Sequence, residues 1–307
     1  MTENRYDLMI LGSGPAGTTA ALYGQRLGLQ TVVFGDIPGG NAYMIESLDN
    51  FPGFPGGIPG TQFGVYTFQQ AQNEGAVCTM TRLDRLTYAD KRFQGIDSNG
   101  VEYSAPSAVV ATGRVPMRLA VANADMKGVH FCSMCDGPLY RGQNATLAVV
   151  GSDNAAGQHA LTIARIADQV LLVCRSKHLA MDAVHQNLIE MQANIRVLLN
   201  TEVLRYEGLD FVEGLVVQSQ GEGEKIIAVD GVFLAIGWRP NTKMLDLPVE
   251  LTPDGYIKAD EKLKTSHPGL FAAGDVRDTD MWQVLTACAD GARAAKYAAE
   301  YLEQMNK

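Results

Sequence analysis

The sequence predicts an α/β protein built twice over from strand–turn–helix units of the dinucleotide-binding kind. Three observations predict it. The run Gly12-Ser13-Gly14-Pro15-Ala16-Gly17 stands between a short apolar stretch and a helical one. A second such unit opens at Leu147, its Gly151 about 139 residues after Gly12. Finally, 307 residues exceed what one hydrophobic core comfortably serves. The class is α/β with two Rossmann-like domains.

The first unit carries the stronger signal. Residues 6–11 are an apolar strand, residues 12–17 fit G-x-G-x-x-G, and a helix with Ala20, Ala21 and Leu22 follows. In that context the glycines permit a tight turn, close approach of backbone N–H groups to a pyrophosphate, and close helix–strand packing. The helix dipole adds to the attraction for phosphate. A second strand over residues 31–34 ends at Gly35-Asp36, and Asp36 lies 24 residues after Gly12. An acid near this point holds an adenosine ribose, although the spacing is slightly long and a turn residue is the alternative.

The loops at Pro38-Gly39-Gly40-Asn41 and at residues 50–57 are rich in glycine and proline, a composition that lets backbone approach a planar ligand. Residues 61–74 read as a helix with Phe63, Tyr66 and Phe68 in the core. Residues 77–101 read as a small β-meander with Asp-Lys and Asn-Gly turns. Residues 108–113 form a buried strand ending in the small-residue turn Ala111-Thr112-Gly113.

The second unit runs from a strand at 147–150 through a turn at 151–156 to a helix at 159–167 and a strand at 169–174. Only Gly151 survives of its glycines, because Asp153 takes the middle position and Ala156 the last. Charge-rich hairpin strands are expected at 202–209 and 215–229, and a further strand at 231–236. Residues 270–276 read as a strand ending in the acid Asp275, which suits a ribityl chain or caps the final helix, residues 283–303.

Between the two units lies His130-Phe131-Cys132-Ser133-Met134-Cys135-Asp136-Gly137. Two cysteines so spaced can close a small disulfide, whose exchange chemistry runs through a thiolate. The acid behind the second cysteine is placed to carry the proton that exchange must move. Half a zinc site is the rival reading, with His130 close enough to serve as a third ligand, but Cys78, Cys174 and Cys288 are isolated and no fourth ligand completes the set. A redox dithiol is therefore preferred, with no metal.

Composition narrows the rest. With 46% hydrophobic and 19% charged residues the chain is an ordinary globular protein. A net charge of −9 argues against nucleic acid and anionic membranes as partners. Five cysteines with one close pair do not make a secreted disulfide framework. Without a signal-like N-terminus or a run of about eighteen apolar residues, a cytoplasmic enzyme is expected.

Taken together, residues 12–17, Gly39-Gly40, Asn50-Phe51-Pro52-Gly53, Ala111-Thr112-Gly113, Cys132 to Asp136, and Ala273-Gly274-Asp275-Val276 followed by Gln283 resemble the low-molecular-weight thioredoxin reductases. The resemblance covers essentially the whole chain, and a dithiol in the central domain is its most specific mark. It implies FAD held by residues 1–114 and 243–307, a central NAD(P)-binding-like domain over 115–242 inserted between them, and a homodimer whose domains rotate. By resemblance the cofactor is met by Gly12, Ser13, Gly14, Pro15, Ala16, Gly17, Asp36, Gly40, Asn41, Asn50, Ala111, Thr112, Gly113, Gly274, Asp275, Trp282 and Gln283. Likewise Cys135 faces the flavin, Cys132 is the interchange nucleophile, and Asp136 the proton donor.

Three departures bear on the electron donor. The family's second glycine fingerprint reads Gly151-Ser152-Asp153-Asn154-Ala155-Ala156 here. Its phosphate-gripping His-Arg-Arg-x-x-x-Arg reads Cys174-Arg175-Ser176-Lys177-His178-Leu179-Ala180, keeping one arginine of three. Its Arg-Gln pair beside the flavin has become Trp282-Gln283. The expectation is an FAD-dependent disulfide oxidoreductase acting on a thioredoxin-like or other disulfide, with a donor other than NADPH such as ferredoxin or another flavin. The alternatives are an NADPH-dependent thioredoxin reductase with an atypical nucleotide site and a flavin-binding redox sensor without turnover. Arg114, Arg118, Lys127 and Arg141 flank the dithiol segment and offer a basic docking patch or merely solvated linker charges.

Overall fold

The structure, a computed structural model, describes residues 4–305 except Glu46 and the side chain of Cys135. It forms two compact units, one of residues 1–115 with 239–307, the other of residues 116–238.

The first unit is centred on a five-stranded parallel sheet ordered Leu270–Ala272, Ser107–Val110, Leu8–Leu11, Thr31–Phe34, Val77–Thr79. Leu8 pairs with Thr31 on one side and Ser107 on the other. The three middle strands are wholly buried, which is why they read as continuous apolar runs. Alternate residues serve opposite faces. Leu8, Ile10, Val33 and Val109 pack with alanines of the helices Pro15–Arg26 and Val284–Met305. Met9, Leu11, Val32 and Phe34 pack with Leu83, Leu86 and Phe93 of a four-stranded sheet that covers the other face.

The second unit repeats the plan. Its parallel sheet is ordered Val129–His130, Gly231–Leu234, Thr146–Val150, Gln169–Val173, Ile195–Leu198. One face, with Leu147, Val149, Val170 and Phe233, meets Ala156, Ala160 and Ile163 of the helix Asn154–Ala164. The other, with Ala148, Leu171 and Val232, meets Val203, Leu215 and Val217 of a three-stranded antiparallel sheet.

Four readings need correction. Tyr66 is 51% exposed, because the buried face of the helix Gly60–Asn73 runs through Phe63, Gly64, Phe68 and Ala71, and Tyr66 points away from it. The helix expected from His159 starts at Asn154, since Asp153 caps it. The stretch 215–229 is two antiparallel strands, Gly214–Ser219 and Glu224–Ala228. Finally, the strand before Asp275 ends at Ala272, and Asp275 lies in the 3₁₀ turn Gly274–Val276.

Candidate active site

The first glycine turn is shaped by close backbone packing. Gly12 adopts φ +111°, and a Cβ there would lie 2.2 Å from the Ala111 carbonyl oxygen. A Cβ on Gly17 would lie 1.7 Å from the Gly12 oxygen. Gly14 differs, because its nearest neighbour would be the Gly39 oxygen at 3.8 Å. Nothing in the protein forces glycine at this N-cap, and no side chain caps the first turn of Pro15–Arg26. The missing side chain leaves room where unsatisfied helix N–H groups present a positive end. This cradle fits a dinucleotide pyrophosphate. Gly40, at φ +51°, packs beside Gly14, and Ser13 Oγ donates to the Ile37 oxygen at 2.9 Å. Asp36 is exposed at the end of the second strand, 3.9 Å from Arg82.

Several loops of the same unit converge near this turn. The Ala111 N–H donates to the Leu11 oxygen at 2.7 Å, and Thr112 Oγ1 donates to the Asn241 oxygen at 2.6 Å. Gly113 takes φ +62°. Asn41 Nδ2 donates to the Arg114 oxygen at 2.7 Å, and Asn50 Nδ2 donates to Gln283 Oε1 at 2.9 Å. The Gly274 N–H donates to Asp290. Arg114, read from sequence as either a docking charge or a solvated linker charge, makes an ion pair of 3.3 Å with Asp275. Its guanidinium also lies 4.8 Å over the Trp282 ring. Burial pushes the Asp275 carboxyl pKa upward, and Arg114 draws it back. The basic residue directly behind Ala-Thr-Gly was the available signal for this contact. Arg118 and Lys127 have local partners as well, Asp125 and the Phe211 ring.

In the second unit Cys132 is disulfide-bonded and 8% exposed. It precedes a single helical turn, Ser133–Asp136, and the Asp136 N–H donates to the Cys132 oxygen at 3.1 Å. Cys78, Cys174 and Cys288 are free thiols. Burial pushes Cys78 and Cys174 up to about 11 and raises Cys288, so these three are poor nucleophiles. Among the described cysteines Cys132 is the one held in a disulfide. His130 Nδ1 lies 3.2 Å from Asp136 Oδ2, a contact sequence reasoning passed over after weighing His130 only as a metal ligand.

The second turn copies the first up to its middle position. Gly151 has φ +152°, and a Cβ there would lie 2.2 Å from the Ala235 oxygen, as Gly12 does to Ala111. Asp153 then places a carboxylate at the helix N-terminus and accepts the Ala156 N–H at 3.0 Å. It lines a small cleft with Phe131, His159 and Trp238. Burial lowers the His159 pKa, and the Asp153 charge partly restores it. Arg175, Lys177 and His178 are exposed, and Arg175 shares an open polar pocket with Glu202.

Two dinucleotide-type turns and one dithiol segment define a flavin- and nucleotide-fold oxidoreductase architecture. The chain matches the pyridine nucleotide-disulphide oxidoreductase family over residues 6–291 and belongs to it. Within that family it is of the thioredoxin reductase type. It is 34% identical over 309 residues to a thioredoxin reductase of Treponema pallidum, covering 99% of each chain. Among solved structures it is similar to the Lactococcus lactis thioredoxin reductase, with TM-score 0.86 and 26% identity over 97% of this chain and 99% of that one. It also resembles the atypical thioredoxin reductase of Desulfovibrio vulgaris Hildenborough, with TM-score 0.54 and 30% identity over 97% and 98%. No helix among the described residues is long and apolar enough to cross a membrane.

Proposed function

We propose that this chain is an FAD-dependent disulfide oxidoreductase whose electron donor is not NADPH. One observation carries the reading of the donor. Where a pyrophosphate would meet the second helix N-terminus, the Asp153 carboxylate already accepts the Ala156 N–H. A fixed negative charge repels phosphate, and the donor that would bind it is engaged. The phosphate grip is thin as well, since Ser176 and Ala180 stand at two of three arginine positions and Glu202 lines the same pocket as Arg175.

Unit one supplies the FAD site. Gly12, Gly14 and Gly17 with Pro15 and Ala16 would hold its pyrophosphate, Asp36 its adenosine ribose, and Asp275 with Gln283 its ribityl chain. Ser13, Gly40, Asn41, Asn50, Ala111, Thr112, Gly113 and Gly274 shape the surrounding loops. Bound FAD supplies two-electron transfer with the dithiol. Cys132 attacks a thioredoxin-like disulfide, and Asp136 protonates the departing sulfur. Cys135 closes the enzyme disulfide again. The family resemblance extends to a homodimer, and the three unpaired thiols suit the reducing cytoplasm. Reduced ferredoxin or another reduced flavin is the class of donor that fits.

Arg175 and the nearby Lys177 favour a second reading, an NADPH enzyme with an altered grip. The test is anaerobic mixing of oxidised protein with NADPH, NADH or reduced ferredoxin, following flavin absorbance. Slow or absent bleaching by both nucleotides with full reduction by ferredoxin is expected. Rapid stoichiometric bleaching by micromolar NADPH establishes the second reading instead. Flavin reduction without turnover of any disulfide would make the chain a redox sensor.

A further inference from the structure

His130 is held from three sides in the second unit. Its Nδ1 lies 3.2 Å from Asp136 Oδ2, and its Nε2 lies 2.8 Å from the Tyr140 hydroxyl. Its ring stacks on Phe233 at 4.9 Å with planes 26° apart, the two residues being register partners on neighbouring parallel strands. Only 14% of the side chain is exposed. The sheet also makes room for the third member. A Cβ on Gly231 would lie 2.4 Å from the Tyr140 hydroxyl oxygen, so glycine there admits that hydroxyl to its place beside the imidazole. Asp136, Tyr140 and, facing Tyr140, Asp230 are the titratable groups around this ring.

We propose that His130, fixed between Tyr140 and Asp136, is the proton store of the dithiol site and passes its proton through Asp136 to the departing sulfur. The inference rests on the reading of Asp136 as proton donor. In the exchange step, the electron pair of the attacking Cys132 thiolate forms a new S–S bond to one sulfur of the substrate disulfide. The old S–S pair leaves on the other sulfur, which takes a proton from Asp136 as Asp136 takes the Nδ1 proton of His130. The imidazolium becomes neutral imidazole, whose Nε2 keeps its bond with Tyr140, and solvent returns one proton. Burial and the charges of Asp136 and Asp230 raise the Tyr140 pKa, so the phenol stays protonated and serves as an anchor, not a proton source. A carboxylic acid alone is scarcely protonated near neutrality, whereas an imidazole titrates there. That difference is why a store beside Asp136 matters.

The leaving group makes the proposal testable. A basic alkyl thiolate needs a proton as it departs, while a weakly basic aromatic thiolate does not. The full-length protein, reduced with dithionite and desalted anaerobically, is mixed with bis(2-hydroxyethyl) disulfide or with dithiobis(nitrobenzoate). Thiol release is followed from about pH 6 to about pH 8. His130→Gln is expected to lose about tenfold with the alkyl disulfide, more at the acidic end where an imidazole holds its proton, and several times less with the aromatic one. Tyr140→Phe, or Gly231→Ala, which displaces the hydroxyl, should lose about threefold with the same dependence on leaving group. These two carry the test if His130→Gln does not fold. Equal losses on both disulfides, or an unshifted pH profile, would overturn the store. Asp136→Asn separates the two readings. If it keeps the alkyl rate, the proton-donor assignment itself fails, and if it loses that rate while His130→Gln does not, only the role of His130 falls.

Discussion

The two glycine turns of this protein begin alike and part at one residue. Gly12 and Gly151 each press against the carbonyl just past a strand, that of Ala111 in one unit and Ala235 in the other, with a would-be Cβ at 2.2 Å in both. Both take positive φ. Two residues on, Gly14 leaves the helix end bare, whereas Asp153 fills it with a carboxylate bonded to Ala156. The architecture of a dinucleotide turn is thus kept in both units by glycine against the end of a strand. The capacity to receive phosphate rests on the next position, which the fold leaves free. A turn can keep its shape after its binding chemistry has changed.

Giving the first turn the character of the second should have the largest effect. In Gly14→Asp a carboxylate would occupy the bare helix end, repel the pyrophosphate and cap the N–H groups meant for it. We expect protein purified without FAD, with affinity down by about three decades, or ~4 kcal/mol. Flavin absorbance and titration of the colourless protein measure this. A yellow variant that holds FAD normally would show that this turn is not the pyrophosphate site.

The reverse exchange comes next. Asp153→Gly combined with Ser176→Arg and Ala180→Arg reopens the second turn and restores two guanidinium groups. Charge-assisted bonds to phosphate are worth about 1.5–3 kcal/mol each. NADPH affinity should rise by roughly two to four decades, read from the nucleotide concentration that half-saturates flavin bleaching. No gain would mean that something besides these three positions excludes the nucleotide.

Arg114 separates the units in another way, since the ion pair it makes has no counterpart described beside Asp153. Burial raises the folded-state pKa of Asp275 above 3.8, and Arg114 opposes the rise. A carboxyl with a raised pKa contributes stability that is present below the unfolded value and lost as pH rises through the folded one. Arg114→Gln removes the opposition, lifts the pKa further and widens that loss. The variant should fall below the parent by about 1.5–3 kcal/mol near neutrality and by less near pH 4, in urea unfolding. A deficit independent of pH would assign Arg114 a packing role through Trp282 alone.

Much of this was legible in the sequence. The buried strands announced themselves as apolar runs, and Thr31–Phe34 falls where the pattern placed it. The α/β class followed from repeating strand, turn and helix. Features that depend on partners far along the chain were not legible. Tyr66 looked like core because helical spacing marks a face but not which face is covered. Arg114 looked like a surface charge because Asp275 lies far away in sequence. His130 was weighed only as a metal ligand, since the bond it makes to Tyr140 depends on a glycine in another strand. Local periodicity speaks for backbone, and tertiary neighbours decide what a polar side chain does.

The smallest effect tests what Asp153 does for the protein itself. As an N-cap it satisfies one helix N–H, so Asp153→Ala should cost about 0.5–2 kcal/mol, while Asp153→Gly should cost only a few tenths. Asp153→Asn keeps the cap and removes only the charge. That charge raises the pKa of His159, which burial lowers from 6.5. A histidine with a depressed folded-state pKa contributes stability that is present above the unfolded value and lost as pH falls through the folded one. Without the Asp153 charge the depression deepens, and the acid-side loss below pH 6.5 grows. Urea midpoints of the parent and Asp153→Asn should therefore coincide above about pH 7 and separate as the solution is acidified, the variant falling faster. Curves that stay parallel through this range would mean that Asp153 acts on the helix end and not on His159.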